Sequence, residues 1–213
     1  MNEQKRKTLS LHMRRLIRDD NKSDHILKKS LICQRPSLRR GIFLILFSII
    51  FFCLYYLFIM KHVKIIKSFT DIVTDANEII IPTFAVILTG YAIFQALVNG
   101  STLINLMTVS EKDKSKFEVY NLYFFSISIL YLSLTILNFI LLVFLKNVPE
   151  NWSIPFFSET TNSIIVAVLI TSYLTFLVNS LIELKSFVYN LFQCFTINAV
   201  SSGIDFLQKD NHK

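Results

Sequence analysis

Four stretches of this chain carry no charged side chain for about twenty residues or more, and each is dominated by Ile, Leu, Phe and Val. A helix of twenty residues rises about 30 Å, the thickness of a bilayer's hydrocarbon core. The first stretch, 41–60, has 14 of its 20 residues as Ile, Leu or Phe. At roughly −0.3 to −0.6 kcal/mol each, these favour insertion by several kcal/mol. The second, 79–98, follows Glu78, is expected to hold Pro82 in its first turn, and stops at Asn99-Gly100-Ser101. A short interfacial helix is expected over Thr102–Thr108. The third, about 120–145, lies between Glu118 and Lys146 and exceeds the core thickness, so tilt or protrusion is expected. The fourth, 163–182, lies between Glu159 and Glu183, with N-caps expected within Thr160–Ser163.

Composition agrees. Apolar residues make up 53% of the 213 and charged residues only 17%, against about 25% in a soluble domain. That surplus excludes intrinsic disorder and has no place in a soluble core. The expected fold class is therefore all-α: an integral membrane four-helix bundle with amphipathic flanking helices.

Charge sets the expected orientation. The net charge is +7, yet residues 1–40 alone carry +8 and the other 173 carry −1. With the N-terminus inside, the cytoplasmic parts hold 18 Lys/Arg and the outer parts hold four. This is the positive-inside bias, and it predicts N-in, C-in. The domain plan is a basic cytoplasmic segment 1–40, a four-span bundle 41–182 and an amphipathic cytoplasmic helix and tail 183–213. A bacterial inner membrane is the expected location of this multi-pass protein. In the tail, Leu9, Met13, Leu16 and Ile17 share helical spacing with Arg14, Arg15 and Arg18, and a second short helix over Asp24–Cys33 stops before Pro36. Arg14, Arg15, Arg18, Lys28, Lys29, Arg39 and Arg40 are candidates for binding anionic lipid headgroups or a cytosolic partner. Nucleic acid is disfavoured, because no aromatic interleaving or recognised module accompanies the basic arm.

Two further segments are amphipathic. Lys61–Asn77 places Ile65, Ile66, Phe69, Ile72, Val73 and Ala76 on one side of a helix. Ser186–Ile204 is uncharged, but Asn190, Gln193 and Asn198 argue against a fifth span. Its stripe Leu184, Phe187, Val188, Leu191 and Phe195 suits an interface or a partner helix. The loop 146–162 holds Trp152, Phe156 and Phe157, which suit a headgroup layer. Its Asn151-Trp152-Ser153 sequon lies too close to the span to carry meaning.

Nothing in the sequence builds a catalytic centre. The four histidines share no motif, and no Walker loop, zinc motif or nucleophile elbow is present. With four glycines a dinucleotide loop cannot be assembled. No cofactor, metal or catalytic residue is assigned, and the protein is expected not to be an enzyme. A membrane-edge enzyme using Glu78, His62 or Glu183 is the weakest of the readings that stay open. Cys33, Cys53 and Cys194 form no C-x-x-C pair and are expected to be free thiols.

The spans lack ionisable groups, which disfavours ion-coupled transport. Uncharged polar residues do line up: Ser128, Tyr131, Thr135 and Asn138 on the third span, then Thr171, Thr175 and Asn179 on the fourth, with Glu183 extending the row. On the second span Ala92 and Ala96 form a small-x-x-x-small pair beside Gly90 and Gln95. Helix packing accounts for such a pattern, at about 0.6 kcal/mol per buried hydrogen bond. A narrow polar path at an oligomer axis is the other reading.

The stretch from Leu88-Thr89-Gly90-Tyr91 through Leu103-Ile104-Asn105-Leu106, followed by a charged linker and Phe117 to Phe125, resembles small four-span bacterial membrane proteins of unknown activity that are found beside anti-phage defence genes. The resemblance implies a protein that acts on the membrane with a cytosolic partner in antiviral defence. It carries over no site residue. The expected function is thus a non-enzymatic, self-associating membrane protein that senses or perturbs the bilayer; the alternative is an oligomeric passive channel or transport accessory subunit.

Overall fold

The computed structural model describes residues 3–18, 23–59, 65–111, 114–150 and 152–210. Of these residues 89% are helical. The elements are α1 (Glu3–Arg18), α2 (Ser23–Cys33), α3 (Leu38–Leu54) running into a π-helical turn (Tyr55–Ile59), α4 (Ile65–Leu97), α5 (Gly100–Thr108), β1 (Ser110–Glu111), β2 (Lys114–Ser115), α6 (Lys116–Asn147) and α7 (Glu159–Asp210). The two strands form an antiparallel pair, Ser110 opposite Ser115 and Glu111 opposite Lys114. Four helices are long and apolar enough to cross a membrane: Leu38–Leu57, Ile65–Leu97, Lys116–Asn147 and Glu159–Gln208. The fold is all-α, as the apolar runs predict.

The helix boundaries correct three expectations. First, α4 begins at Ile65, so Pro82 lies deep inside it and not in a first turn. Proline removes one backbone donor there. The neighbouring Thr83 hydroxyl bonds the Ile79 carbonyl at 2.7 Å. Second, the fourth span and the C-terminal amphipathic segment are one unbroken helix of 52 residues. Third, the cap of α7 is Ser158, whose Oγ accepts the Thr161 N–H at 3.2 Å, and it precedes the expected Thr160–Ser163. The break after the second run is as expected. Asn99 is extended, Gly100 takes φ +46°, and α5 restarts from it. That backbone angle favours glycine. In the amphipathic segment before span two, Lys61 to Lys64 lie outside the described residues, as do the sequon's Asn151 and His212.

The described residues fall into two compact units. One draws on residues 36–84 and 130–184. Its core is built from heptad-like spacings: Ile66, Phe69, Val73, Ala76 and Ile80 of α4, Tyr131, Leu134 and Asn138 of α6, and Ala167, Ile170, Tyr173 and Leu177 of α7. Ile66, Phe69, Val73 and Ala76 belong to the stripe expected from the sequence; Ile65 and Ile72 sit at its half-buried margin. Phe69 meets Tyr173 edge-on at 6.1 Å. Outside the core, Ile49, Phe139 and Val168 are about half exposed or more. The amide and phenol groups of Asn138, Tyr131 and Tyr173 turn inward while large apolar side chains face out, an arrangement lipid favours.

The other unit draws on residues 1–35, 85–129 and 185–213. At its centre Phe94 stacks on Phe124 at 4.9 Å, with Tyr91 and Phe117 beside it, and Phe187 of α7 meets Phe124 edge-on at 5.6 Å. The Phe187 ring sits directly against Gly90, where an added Cβ would overlap it. Gly90 therefore makes the close approach on this helix. Ala92 and Ala96 are exposed, contrary to the packing role their spacing suggests.

Candidate functional site

The seven residues of the expected polar face are all buried or half-buried. Ser128, Tyr131, Asn138 and Thr171 are buried, while Thr135, Thr175 and Asn179 are half-buried. Several hydroxyls are spent on their own helix. Ser128 bonds the Phe124 carbonyl, Thr135 the Tyr131 carbonyl and Thr175 the Thr171 carbonyl, at 2.7–2.8 Å. A hydroxyl that donates four residues back has spent its proton within its own helix and keeps only its lone pairs for another group.

Two rungs do bridge α6 and α7. The Tyr131 hydroxyl donates to the Ser180 carbonyl at 3.1 Å, and the Tyr173 hydroxyl donates to Asn138 Oδ1 at 2.9 Å. Seven residues forward on α6 match seven residues back on α7, as an antiparallel pair requires. Two buried atoms in this unit have no hydrogen-bond partner, Asn138 Nδ2 and Thr171 Oγ1. Buried polar groups are usually satisfied, so these two mark the exceptional layer of the bundle.

At the end of the same row lies the strongest polar cluster in the unit. Arg40, at the start of α3, gives Nε to Asn179 Oδ1 at 2.8 Å and Nη2 to the same oxygen at 2.5 Å. Its Nη1 pairs with Glu183. The side chains are only 15% and 11% exposed, so water screens the pair little. Such a pair matters mainly when broken, because the remaining charge is left without compensation. It also holds a helix with few other anchors. In α3 and its π-helical turn the buried apolar residues are Leu44 and Tyr55, the latter tied by its hydroxyl to Ser68 at 3.1 Å.

The basic candidates are therefore split. Arg40 is turned into the protein, a use the sequence reading did not foresee. Arg14, Lys28 and Arg39 are exposed, and Lys29 is half-buried. The side chains of Arg15 and Arg18 lie outside the described residues. His12 explains how their helix is held. It is 6% exposed, and its Nδ1 lies 2.7 Å from the Met107 carbonyl of α5. Just after α2, the Gln34 amide donates to the Ser126 carbonyl of α6. The sequence offered one signal for His12: it falls between Leu9 and Met13, three residues after the first and one before the second, on an otherwise basic helix.

In the same unit α5 is joined to α7 by side chains alone. Thr102 Oγ1 donates to Asn198 Oδ1 at 2.9 Å, and Asn105 Nδ2 donates to Ser201 Oγ at 2.8 Å. Both partners advance by three residues, so α5 and α7 run parallel there. The inward face of this part of α7 is Phe187, Cys194, Asn198 and Ser201, with Glu183 before it. Of the stripe expected to form one contact surface, Phe187 is inward, Leu184 and Leu191 are half-buried, and Val188 and Phe195 face out. Cys194 is a free thiol buried in this face, and a buried structural thiol is inert.

Among the described residues no group of three His, Cys, Asp or Glu side chains could hold a metal ion. Neither a family model, nor a curated protein, nor a solved structure matches this chain.

Proposed function

We propose that the chain is a non-enzymatic, self-associating multi-pass membrane protein that senses or perturbs the bacterial inner membrane together with a cytosolic partner, in anti-phage defence. Both ends face the cytoplasm, as the Lys/Arg distribution requires. One observation carries the reading. A helix with exposed cations is docked by the buried His12 onto α5, in a chain that otherwise has four helices of membrane-crossing length and apolarity. A docked basic helix offers a headgroup- or partner-binding surface whose position depends on the rest of the protein. The resemblance drawn from the sequence supplies the setting.

Removal of residues 1–35 tests this. Expressed in a bacterium, the full chain should protect against phage or depolarise the membrane, as read by plating efficiency and a potential-sensitive dye. The truncated chain should lose that effect while staying in the carbonate-resistant membrane fraction. Full effect without the segment refutes the reading. An impermeant maleimide should reach Cys33 only in permeabilised cells, which checks the orientation.

A passive channel is the second reading, favoured by the unpartnered Asn138 Nδ2 and Thr171 Oγ1 in one bundle. Purified protein in a planar bilayer should then conduct, and Asn138→Leu should change the conductance. A silent bilayer at high protein density removes this reading.

A further inference from the structure

The outward face of α2 mixes cations with large aliphatic side chains. Leu27, Lys28, Leu31, Ile32 and Arg35 follow one another at intervals of one, three, one and three residues, which is one side of a helix. All five are exposed; Leu27, Leu31 and Ile32 are 41%, 53% and 59% exposed. The turn after α2 keeps Arg35 on this side, since the Gln34 and Arg35 amides bond the Leu31 and Ile32 carbonyls at 3.3 and 3.2 Å. The opposite side is already used. Ser30 is fully buried, Ile26 is half-buried, and the half-buried Gln34 donates to the Ser126 carbonyl. Residues 25–40 hold five Lys or Arg and no acid, so whatever covers the outward face has to accept positive charge as well as aliphatic surface.

The Gln34 bond sets the depth of α2. Between Glu118 and Lys146 lie 27 uncharged residues, and the hydrocarbon core takes about 20 of them. With the start of α6 on the cytoplasmic side, a core moved as far outward as the run allows begins at Ser126, and any other placement puts Ser126 deeper. The carbonyl that Gln34 holds is therefore at the cytoplasmic edge of the hydrocarbon or inside it. The last turn of α2 stands at that interface and not free in the cytoplasm. Four residues, Gln34 to Ser37, then separate α2 from α3, a helix of membrane-crossing length and apolarity. At such a boundary aliphatic side chains enter the acyl region, while Lys and Arg extend their charge to the phosphates. From these features we infer that the Leu27–Arg35 face of α2 is a docking surface for anionic phospholipid of the cytoplasmic leaflet, with Lys28 and Arg35 on the phosphate groups. The inference deepens the proposed function: of the two occupants open to the basic segment it assigns lipid to α2, and it rests on the membrane reading and its N-in orientation.

The test uses the full chain with Cys33→Ser and Cys53→Ser and the buried Cys194 retained, in liposomes of phosphatidylcholine and phosphatidylglycerol. A fluorophore is attached at Leu31→Cys or Ile32→Cys and, for comparison, at the exposed position 111 (Glu111→Cys) of the hairpin before α6. Acyl-chain spin-labelled lipid should quench positions 31 and 32 at least about threefold more than position 111, because an interfacial helix sinks its apolar side about 5–10 Å. Aqueous iodide should show the reverse order. Equal lipid quenching at the three positions overturns the inference. Iodide reaching 31 and 32 as readily as 111 overturns it too and leaves the face to a cytosolic partner. Spin-labelled phosphatidylglycerol should associate at position 31 about fivefold more strongly than spin-labelled phosphatidylcholine, the effect of one Lys or Arg near an anionic surface. Lys28→Gln with Arg35→Gln should bring that ratio close to one. A ratio of one before the substitutions, or a ratio that they leave unchanged, overturns the headgroup site. Flotation of the same liposomes checks the membrane reading separately: a chain that does not float refutes both, and a chain that floats with position 31 unquenched refutes the inference alone.

Discussion

The two halves of α7 solve the same packing problem with different side chains. Up to Leu177 the inward face is mostly apolar or aromatic: Ala167, Ile170, Tyr173, Leu177. After Glu183 it turns to Phe187, Cys194, Asn198 and Ser201, and two of its links to α5 are side-chain hydrogen bonds. Outward, both halves show large apolar residues, Val168 and Leu169 in the first, Val188 and Phe192 in the second. The outward chemistry is therefore the same in both halves, and what differs is the side that each half turns to its own neighbours.

Breaking the first half should have the largest effect. Arg40→Ala removes the guanidinium that pairs with the buried Glu183 and should cost up to about 3–5 kcal/mol, seen as a fall in thermal stability of the purified protein in detergent. Arg40→Met combined with Glu183→Leu should recover most of it. If the single substitution is silent, the pair does not hold α3. The second half is sharpened by its thiol. The buried Cys194 should be alkylated far more slowly than the exposed Cys33. Equal labelling of the two would show that the inward face is open.

A smaller effect is expected at the close approach. Gly90→Val drives a side chain into the Phe187 ring, which Phe124 holds from its other side, and should cost about 1–3 kcal/mol. Phe187→Leu in the same chain should relieve part of that, measured by chemical or thermal unfolding. The least is expected from the hydrogen bonds between α5 and α7. Asn198→Ala and Ser201→Ala should each cost about 1 kcal/mol, measured by thermal unfolding, and as neighbours on one helix face they should couple in the double variant.

The sequence made the spans legible because charge interrupts them: Arg40, Glu78, Glu118, Lys146 and Glu183 stand at their ends. It made the turn at Asn99-Gly100 legible through residue chemistry. A helix over Lys61–Asn77 and a span from Ile79 were both legible, but not that they are one helix, because hydropathy reports which residues suit lipid and not which are helical; Asp71, Asp75 and Glu78 continue the same helix. On distal α7 the expected stripe is divided: Phe187 turns inward while Val188 and Phe195 face out, because α5 offers Thr102 and Asn105, and Asn198 and Ser201 of α7 turn towards them. The Arg40 pair had no local signal, since its members lie 143 residues apart. What sequence did offer was the row Thr171, Thr175, Asn179, Glu183, whose last members receive that guanidinium.

The hairpin between α5 and α6 has a bearing on all of this. Ser110 and Glu111 pair with Ser115 and Lys114, and the Lys116 amide bonds the Val109 carbonyl at 3.0 Å. A tether this short keeps α5 at an effective concentration in the millimolar range or above at its own groove. Once released from α7, α5 has nowhere to diffuse and returns at once. Weak bonds are then enough to keep it seated, and a partner that wants its place must compete with a neighbour that never leaves.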